Sequence, residues 1–139
     1  MRYQGKYRPS FPGKYKGDPS NVIYRSSWEY KFMKWCDITP SVVEWGSEEI
    51  IIPYISPVDG KRHRYFPDFY VKIGNKKYLV EVKPYKQTKE PKTQKRNTKR
   101  YINEVVTYAV NQAKWKAATE FCLDNGWEFM LITEKELKV

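Results

Sequence analysis

The sequence predicts a single α/β domain whose elements run helix, three strands, helix, strand. Three observations carry that reading. Trp28, Phe32 and Trp35 recur at helical spacing after Ser26-Ser27; residues 65–83 read as a β-hairpin turning at Gly74-Asn75; and a second helical pattern over 102–125 stops at Gly126. With 139 residues, 40% apolar and 17% aromatic, the chain has material for one packed core and is not a disordered polymer.

Residues 1–22 read as a basic arm ahead of one domain at 23–139. The arm is rich in Gly, Pro, Tyr and Lys and lacks periodicity. It carries Arg2, Lys6, Arg8, Lys14 and Lys16 before its first acid, Asp18. It is expected to be extended, tied down by its tyrosines or mobile in isolation. Ser26 and Ser27 open a helix to about Cys36, with Lys31 and Lys34 outside, and Pro40 ends any continuation. An extended piece at 42–45 leads to a strand at 49–54 and a turn at Pro57-Val58-Asp59-Gly60. After the hairpin, residues 84–100 hold Lys86, Lys89, Lys92, Lys95, Arg96, Lys99 and Arg100 against one acid, Glu90, and one aromatic, Tyr85. Such a stretch buries no core and is expected to be a loop. In the second helix Val106, Val110, Ala113, Ala117 and Phe121 form a stripe, widened by Val105, Ala109 and Cys122. Gly126 suits the position just past the helix end, and 127–133 is the last strand. Trp28, Trp35, Trp115 and Trp127 are expected in the core.

The hairpin carries the chemistry. Gly74 takes a positive φ at no steric cost, so Gly74-Asn75 suits the centre of a type II′ turn. A two-residue turn there pairs residues whose numbers sum to 149, which sets Asp68 opposite Glu81. Lys83 lies on the same face two positions on. Phe69, Val71, Ile73, Tyr78, Val80 and Val82 form the opposite, core-facing set. Two facing carboxylates about 5 Å apart at Cβ repel unless something positive lies between them. A divalent cation held by Asp68, Glu81 and the Val82 carbonyl, with Lys83 beside it, meets that need and suits phosphodiester chemistry. The plainer alternative is a solvated strand face with Glu81 paired to Lys77 or Lys83. Glu29 also has two readings. Ser26-x-x-Glu29 is a capping box, and the first helix delivers a further acidic group to the sheet.

A net charge of +10 and a pI near 9.5 point to a polyanionic partner, most often nucleic acid. The loop at 84–100 leaves from the end of the Glu81–Lys83 strand; a solvated basic loop is the plain reading, and a flap whose Lys86, Lys95, Arg96, Lys99 and Arg100 clamp a phosphate backbone is the functional one. Tyr65, Tyr85 and the arm tyrosines interleave with basic residues; packing is the simpler reading, base stacking the other. Asn111, Gln112 and Lys114 are polar candidates on the second helix. Cys36 and Cys122 lie far apart in apolar helical patterns and read as buried free thiols. One histidine, His63, and no Cys/His cluster argue against zinc and leave carboxylates to hold Mg²⁺ or Mn²⁺. No segment reads as a signal peptide or a membrane span, so a cytosolic protein with no membrane partner is expected.

These residues resemble a known layout. Pro67-Asp68 followed by Glu81-Val82-Lys83, with Glu29 on a first helix, is similar to the PD-(D/E)XK nuclease superfamily. Tyr24-Arg25-Ser26-Ser27-Trp28-Glu29, Arg64-Tyr65-Phe66-Pro67-Asp68-Phe69 and Leu79-Val80-Glu81-Val82-Lys83-Pro84 resemble the TnsA-type endonuclease N-terminal domain. They resemble still more the head-completion nucleases of T4-like tailed phages, along with Trp35-Cys36-Asp37 and Ile52-Pro53-Tyr54-Ile55-Ser56. The likeness covers about residues 5–133. It implies a restriction-endonuclease-like core with a mixed sheet flanked by helices, Glu29, Asp68, Glu81 and Lys83 as the active constellation, and Mg²⁺ as cofactor. It further implies DNA hydrolysis in finishing a filled phage head, contact with head or portal proteins, and a place in the host-cell cytoplasm during assembly or in the virion. Two other functions stay open: a structural, DNA-binding head component with an unused nuclease fold, and a transposon end-cleaving subunit.

Overall fold

The computed structural model of the chain describes residues 4–138; Arg2 of the arm lies outside the described residues. The strands and helices are β1 (Gly5–Tyr7), β2 (Val22–Tyr24), α1 (Ser27–Ile38), β3 (Val42–Ser47), β4 (Ile52–Ile55), β5 (Arg62–Tyr65), β6 (Phe69–Ile73), β7 (Lys76–Val82), α2 (Lys99–Asn125), β8 (Glu128–Ile132) and α3 (Glu134–Leu137). The main sheet has the order β3-β6-β7-β8. β3, β6 and β7 are antiparallel neighbours, and β8, returned by α2, lies parallel to β7. The sheet is therefore mixed, with α1 and α2 over opposite faces.

The hairpin holds the expected register. Phe69 pairs with Val80, Val71 with Tyr78 and Ile73 with Lys76. Gly74 has φ +58° and Asn75 is not among the residues with positive φ, the backbone of a II′ turn. Alternation then splits the side chains between two cores. Phe69, Val71, Val80 and Val82 join Phe32, Met33 and Cys36 of α1 with Tyr7, Tyr15, Val22 and Trp45. Tyr70 and Leu79 join Trp115, Ala118 and Cys122 of α2 with Ile52 and Tyr65. The two free cysteines are buried on opposite sides of the sheet.

Three sequence expectations change. Residues 42–47, not 49–54, supply the third strand of the sheet; β4 pairs instead with β5 in a separate hairpin. A bulge between Val42 and Glu44 turns both Val42 and Trp45 inward although they are three apart, which hides the alternation. The buried line of α2 is Asn111, Trp115, Ala118 and Cys122, rotated from the expected stripe, and Val105 and Val106 are exposed. At about 1.5 Å per residue this helix outruns the sheet, so its first turns have nothing to pack on. Trp35 is 44% exposed because Met33 and Cys36 take the inner side of α1. Trp28 and Trp127 are half-buried against the cores.

The arm is strapped down. β1 pairs with β2, and Lys16 N–H donates to the Trp45 carbonyl (2.7 Å), covering the outer edge of β3. Asp37, fully buried, accepts from the Tyr7 hydroxyl (2.7 Å), Ser10 N–H (2.6 Å) and Phe11 N–H (3.0 Å). Lys14 Nζ donates to the carbonyls of Cys36, Asp37 and Thr39, each at 2.9 Å, and caps the end of α1 where the helix dipole favours a cation. Asp37→Ala is expected to lower stability by about 2–3 kcal/mol, because three donors lose a charged acceptor together. Urea unfolding measures it.

Candidate active site

The site forms where β3, β6 and β7 end together beside the start of α1. Asp68 is the bend residue before β6, and buried Pro67 precedes it without an N–H. Its carbonyl accepts from Glu48 N–H at the end of β3 (3.0 Å), and its Oδ2 accepts from Val82 N–H at the end of β7 (2.8 Å). Asp68 thus ties three strand ends, and Oδ1 is left without a hydrogen bond among the described residues.

Glu81 lies on the Tyr70/Leu79 face, 5% exposed, which excludes the solvated strand face. Its Oε1 accepts from the Tyr65 hydroxyl (2.6 Å), and its Oε2 is 3.4 Å from Lys83 Nζ. The pairing with Lys83 is present, but in a buried setting. Lys83 N–H continues the parallel ladder to the Ile132 carbonyl (2.9 Å), which fixes the Lys83 backbone. Val82 turns its side chain into the opposite core, so only its backbone reaches the site.

Glu29 arrives from the first turn of α1. Ser26 Oγ accepts from Glu29 N–H (3.1 Å), as a cap should, but the Glu29 carboxylate accepts from Arg25 N–H (3.2 Å) rather than completing the box on Ser26. The helix is capped and its acid is turned toward the strand ends by the same local geometry.

Burial raises the pKa of Asp68 well above the usual carboxylate range, and the charges of Glu81 and Glu29 raise it further. Val82 N–H and Lys83 oppose them. Burial also raises Glu29, opposed by Arg25 and reinforced by Glu48 and Glu81. Burial, then Glu81, hold the Tyr65 hydroxyl protonated far past its ordinary range.

Three neighbours that the sequence did not assign to the active constellation join it. Arg25 pairs with Glu48 at 2.6 Å, and its charge also acts on Glu29 and Asp68. Glu48 has φ +54°, a left-handed conformation rare for a residue other than glycine. That turn aims its N–H at Asp68 and its side chain at Arg25. Tyr65 packs, as the simpler reading had it, yet its hydroxyl lands on Glu81. These pairings join residues 23, 20 and 16 positions apart and depend on the assembled strand ends.

The cluster then holds four carboxylates, Glu29, Glu48, Asp68 and Glu81, against two cations, Arg25 and Lys83. With every group ionised, two negative charges are in excess. Among the described residues no three Asp, Glu, His or Cys side chains group tightly enough to cage a metal. Two carboxylates with a free oxygen at Asp68 nevertheless fit Mg²⁺, which binds through one or two carboxylates and keeps several waters.

On α2, Asn111 is buried, Gln112 is exposed, and Lys114 Nζ lies 5.7 Å from the centre of the Tyr65 ring. Lys86, Lys95, Arg96, Lys99 and Arg100 are all exposed. Lys99 and Arg100 are not in a loop but open α2, capped by Thr98 Oγ1 accepting from Tyr101 N–H (3.1 Å). The basic stretch is pinned at its base: Tyr85 N–H donates to Glu134 Oε1 (2.7 Å), and Lys135 Nζ sits 3.5 Å from the Tyr85 ring centre. No described helix is long and apolar enough to cross a membrane.

Residues 39–134, which span Asp68, Glu81, Lys83 and the whole four-stranded sheet, match the family model of the TnsA-like endonuclease N-terminal domain. The chain belongs to that family. The mixed sheet flanked by helices is the family's kind of fold. Over nearly its whole length the chain is also 40% identical to the head completion nuclease of Enterobacteria phage T4, an alignment covering 99% of this chain and 95% of the relative. Glu29 precedes the stretch matched to the family model but falls within that longer alignment.

The raised pKa of Asp68 has a sign that can be read. Between the ordinary carboxylate pKa, near 4, and its higher folded value, the native chain keeps a proton that the unfolded chain has released. Stability therefore falls as pH rises through that window and levels above it. Glu29 adds a decline of the same sign. Asp68→Asn keeps an acceptor for Val82 N–H but never ionises. In EDTA it should lose much of the decline and melt above the wild type at pH 8. Thermal unfolding from pH 4 to 9 tests this, and parallel curves would show that the site carries no such charge conflict.

Proposed function

We propose that the chain is a divalent-metal-dependent DNA endonuclease of PD-(D/E)XK type that acts in phage head completion. The observation that carries the reading is the carboxylate pair of half-buried Asp68 and buried Glu81 at the strand ends, with Lys83 beside Glu81, in a member of an endonuclease family. The name of the T4 relative supports the nuclease activity and the head-completion setting. Contact with head or portal proteins, and work in the host-cell cytoplasm during assembly, extend that setting.

Asp68 and Glu81, with the Val82 carbonyl, would hold Mg²⁺ or Mn²⁺. When bound, such a cation supplies Lewis-acid polarisation of the scissile phosphate and acidifies water. Lys83, with its backbone fixed by β8, orients the attacking water and offsets charge growing on the phosphate. Glu29 supplies the third carboxylate. The water oxygen bonds to phosphorus and loses a proton to solvent, a phosphorus–oxygen ester bond breaks, and the leaving sugar oxygen takes up a proton and departs as a hydroxyl. Lys86, Lys95, Arg96, Lys99 and Arg100 grip the backbone by charge, with little sequence preference. The basic first turn of α2 adds to this, since a helix N-terminus already favours anions.

Linear and plasmid duplexes should be cut with Mg²⁺ or Mn²⁺ and left intact in EDTA. Asp68→Ala, Glu81→Ala and Lys83→Ala should each cost about 10²–10³-fold in rate, with the fold retained by circular dichroism. Cutting that persists in EDTA removes the metal requirement. No cutting of duplex, single-stranded or branched DNA with either ion removes the enzyme and leaves a DNA-binding head component. The double variant Lys95→Glu/Arg96→Glu should weaken DNA binding and flatten its salt dependence by about 0.9 in log–log slope per lost phosphate contact. Fluorescence anisotropy across a salt series measures both.

A further inference from the structure

Glu81 is held from outside the sheet by one residue. Tyr65 closes β5, and its hydroxyl donates to Glu81 Oε1 at 2.6 Å, with both residues buried. The bond is short, as expected when the acceptor is charged. Behind Tyr65, on the α2 side of the sheet, Trp115 is buried in the same core cluster. The order Trp115, Tyr65, Glu81 thus runs from the second helix to the end of β7.

The consequence is at the other oxygen of Glu81. Glu81 Oε2 stands 3.4 Å from Lys83 Nζ, longer than the roughly 2.7–2.9 Å of a fully made ammonium–carboxylate hydrogen bond. A free carboxylate next to an ammonium would close that gap and turn both oxygens to it. Tied at Oε1, it presents Oε2 alone, and Lys83 keeps donors to spare. We propose that Tyr65, backed by Trp115, is a positioning residue that holds Glu81 off Lys83 and turns one of its oxygens to a divalent cation. The inference rests on the metal-dependent reading above. It goes beyond it by giving the β4–β5 hairpin and α2 a part in metal affinity.

The test is Mn²⁺ binding to the full, DNA-free chain, followed by electron paramagnetic resonance, for the wild type, Tyr65→Phe, Trp115→Phe and Asp68→Asn. Tyr65→Phe removes one oxygen and keeps the packed ring. Its Mn²⁺ affinity should drop about 10–100-fold, with the circular dichroism of the wild type. The Mn²⁺ concentration for half-maximal cleavage should rise by the same factor, and the rate at saturating Mn²⁺ should fall by less. A merely packing Tyr65 would leave both metal midpoints unmoved, and that result overturns the inference. Should Tyr65→Phe fail to fold, Trp115→Phe, which loosens the packing behind the Tyr65 ring, is read in its place; weakened Mn²⁺ binding with the circular dichroism of the wild type supports the inference and wild-type binding overturns it. A wild type that binds Mn²⁺ no better than Asp68→Asn instead overturns the metal reading beneath.

Discussion

Asp68 and Glu81 meet because Gly74 turns with a positive φ about 20 Å away, six residues along a strand at about 3.3 Å each. The turn sets the β6–β7 register, and every other feature of the site depends on that register. A slip of one residue would send Glu81 into the core that holds Phe69 and Val80, where a carboxylate has no partner. In the observed register the same alternation fills both cores with aromatic and aliphatic side chains. The apolar surface on both sides of the sheet thus holds the two acids together against their mutual repulsion.

That repulsion organises the surroundings. Each of the four carboxylates has one oxygen restrained by a donor: Val82 N–H for Asp68, the Tyr65 hydroxyl for Glu81, Arg25 N–H for Glu29 and the Arg25 guanidinium for Glu48. The remaining charge is only partly met by Arg25 and Lys83. Glu48 is bent into an unfavourable conformation to brace Asp68 and Arg25 at once. Buried charge and backbone strain therefore sit at one spot, and the packed cores on either side supply the stability that both cost.

The rest of the molecule divides its labour around this rim. The arm, Asp37 and Lys14 fasten the end of α1 opposite the one that carries Glu29. The inner turns of α2 hold Trp115 against the hairpin, while its outer turns and the stretch before it stand clear with their basic side chains exposed. A rigid acidic site thus lies beside a basic surface that is anchored at Tyr85.

Much of this was legible along the chain. Glycine's backbone freedom and the two-residue period of a strand are local properties, so Gly74-Asn75 by itself set Asp68 opposite Glu81 and put Lys83 alongside. Ser26 marked the start of α1 and Gly126 the end of α2, whereas the one core expected from length and composition is divided by the sheet into two. Local patterns misled where tertiary packing overrode them. A bulge hid β3, the sheet ended before α2 did, and Met33 and Cys36 displaced Trp35 from the core. Only the folded chain decided that Tyr65 reaches Glu81, that Glu48 and Arg25 brace Asp68 and Glu29, and that Glu81 is buried and the other acids half-buried. Those outcomes join residues from separate elements, and the distances between such residues exist only once the two cores have closed on the sheet.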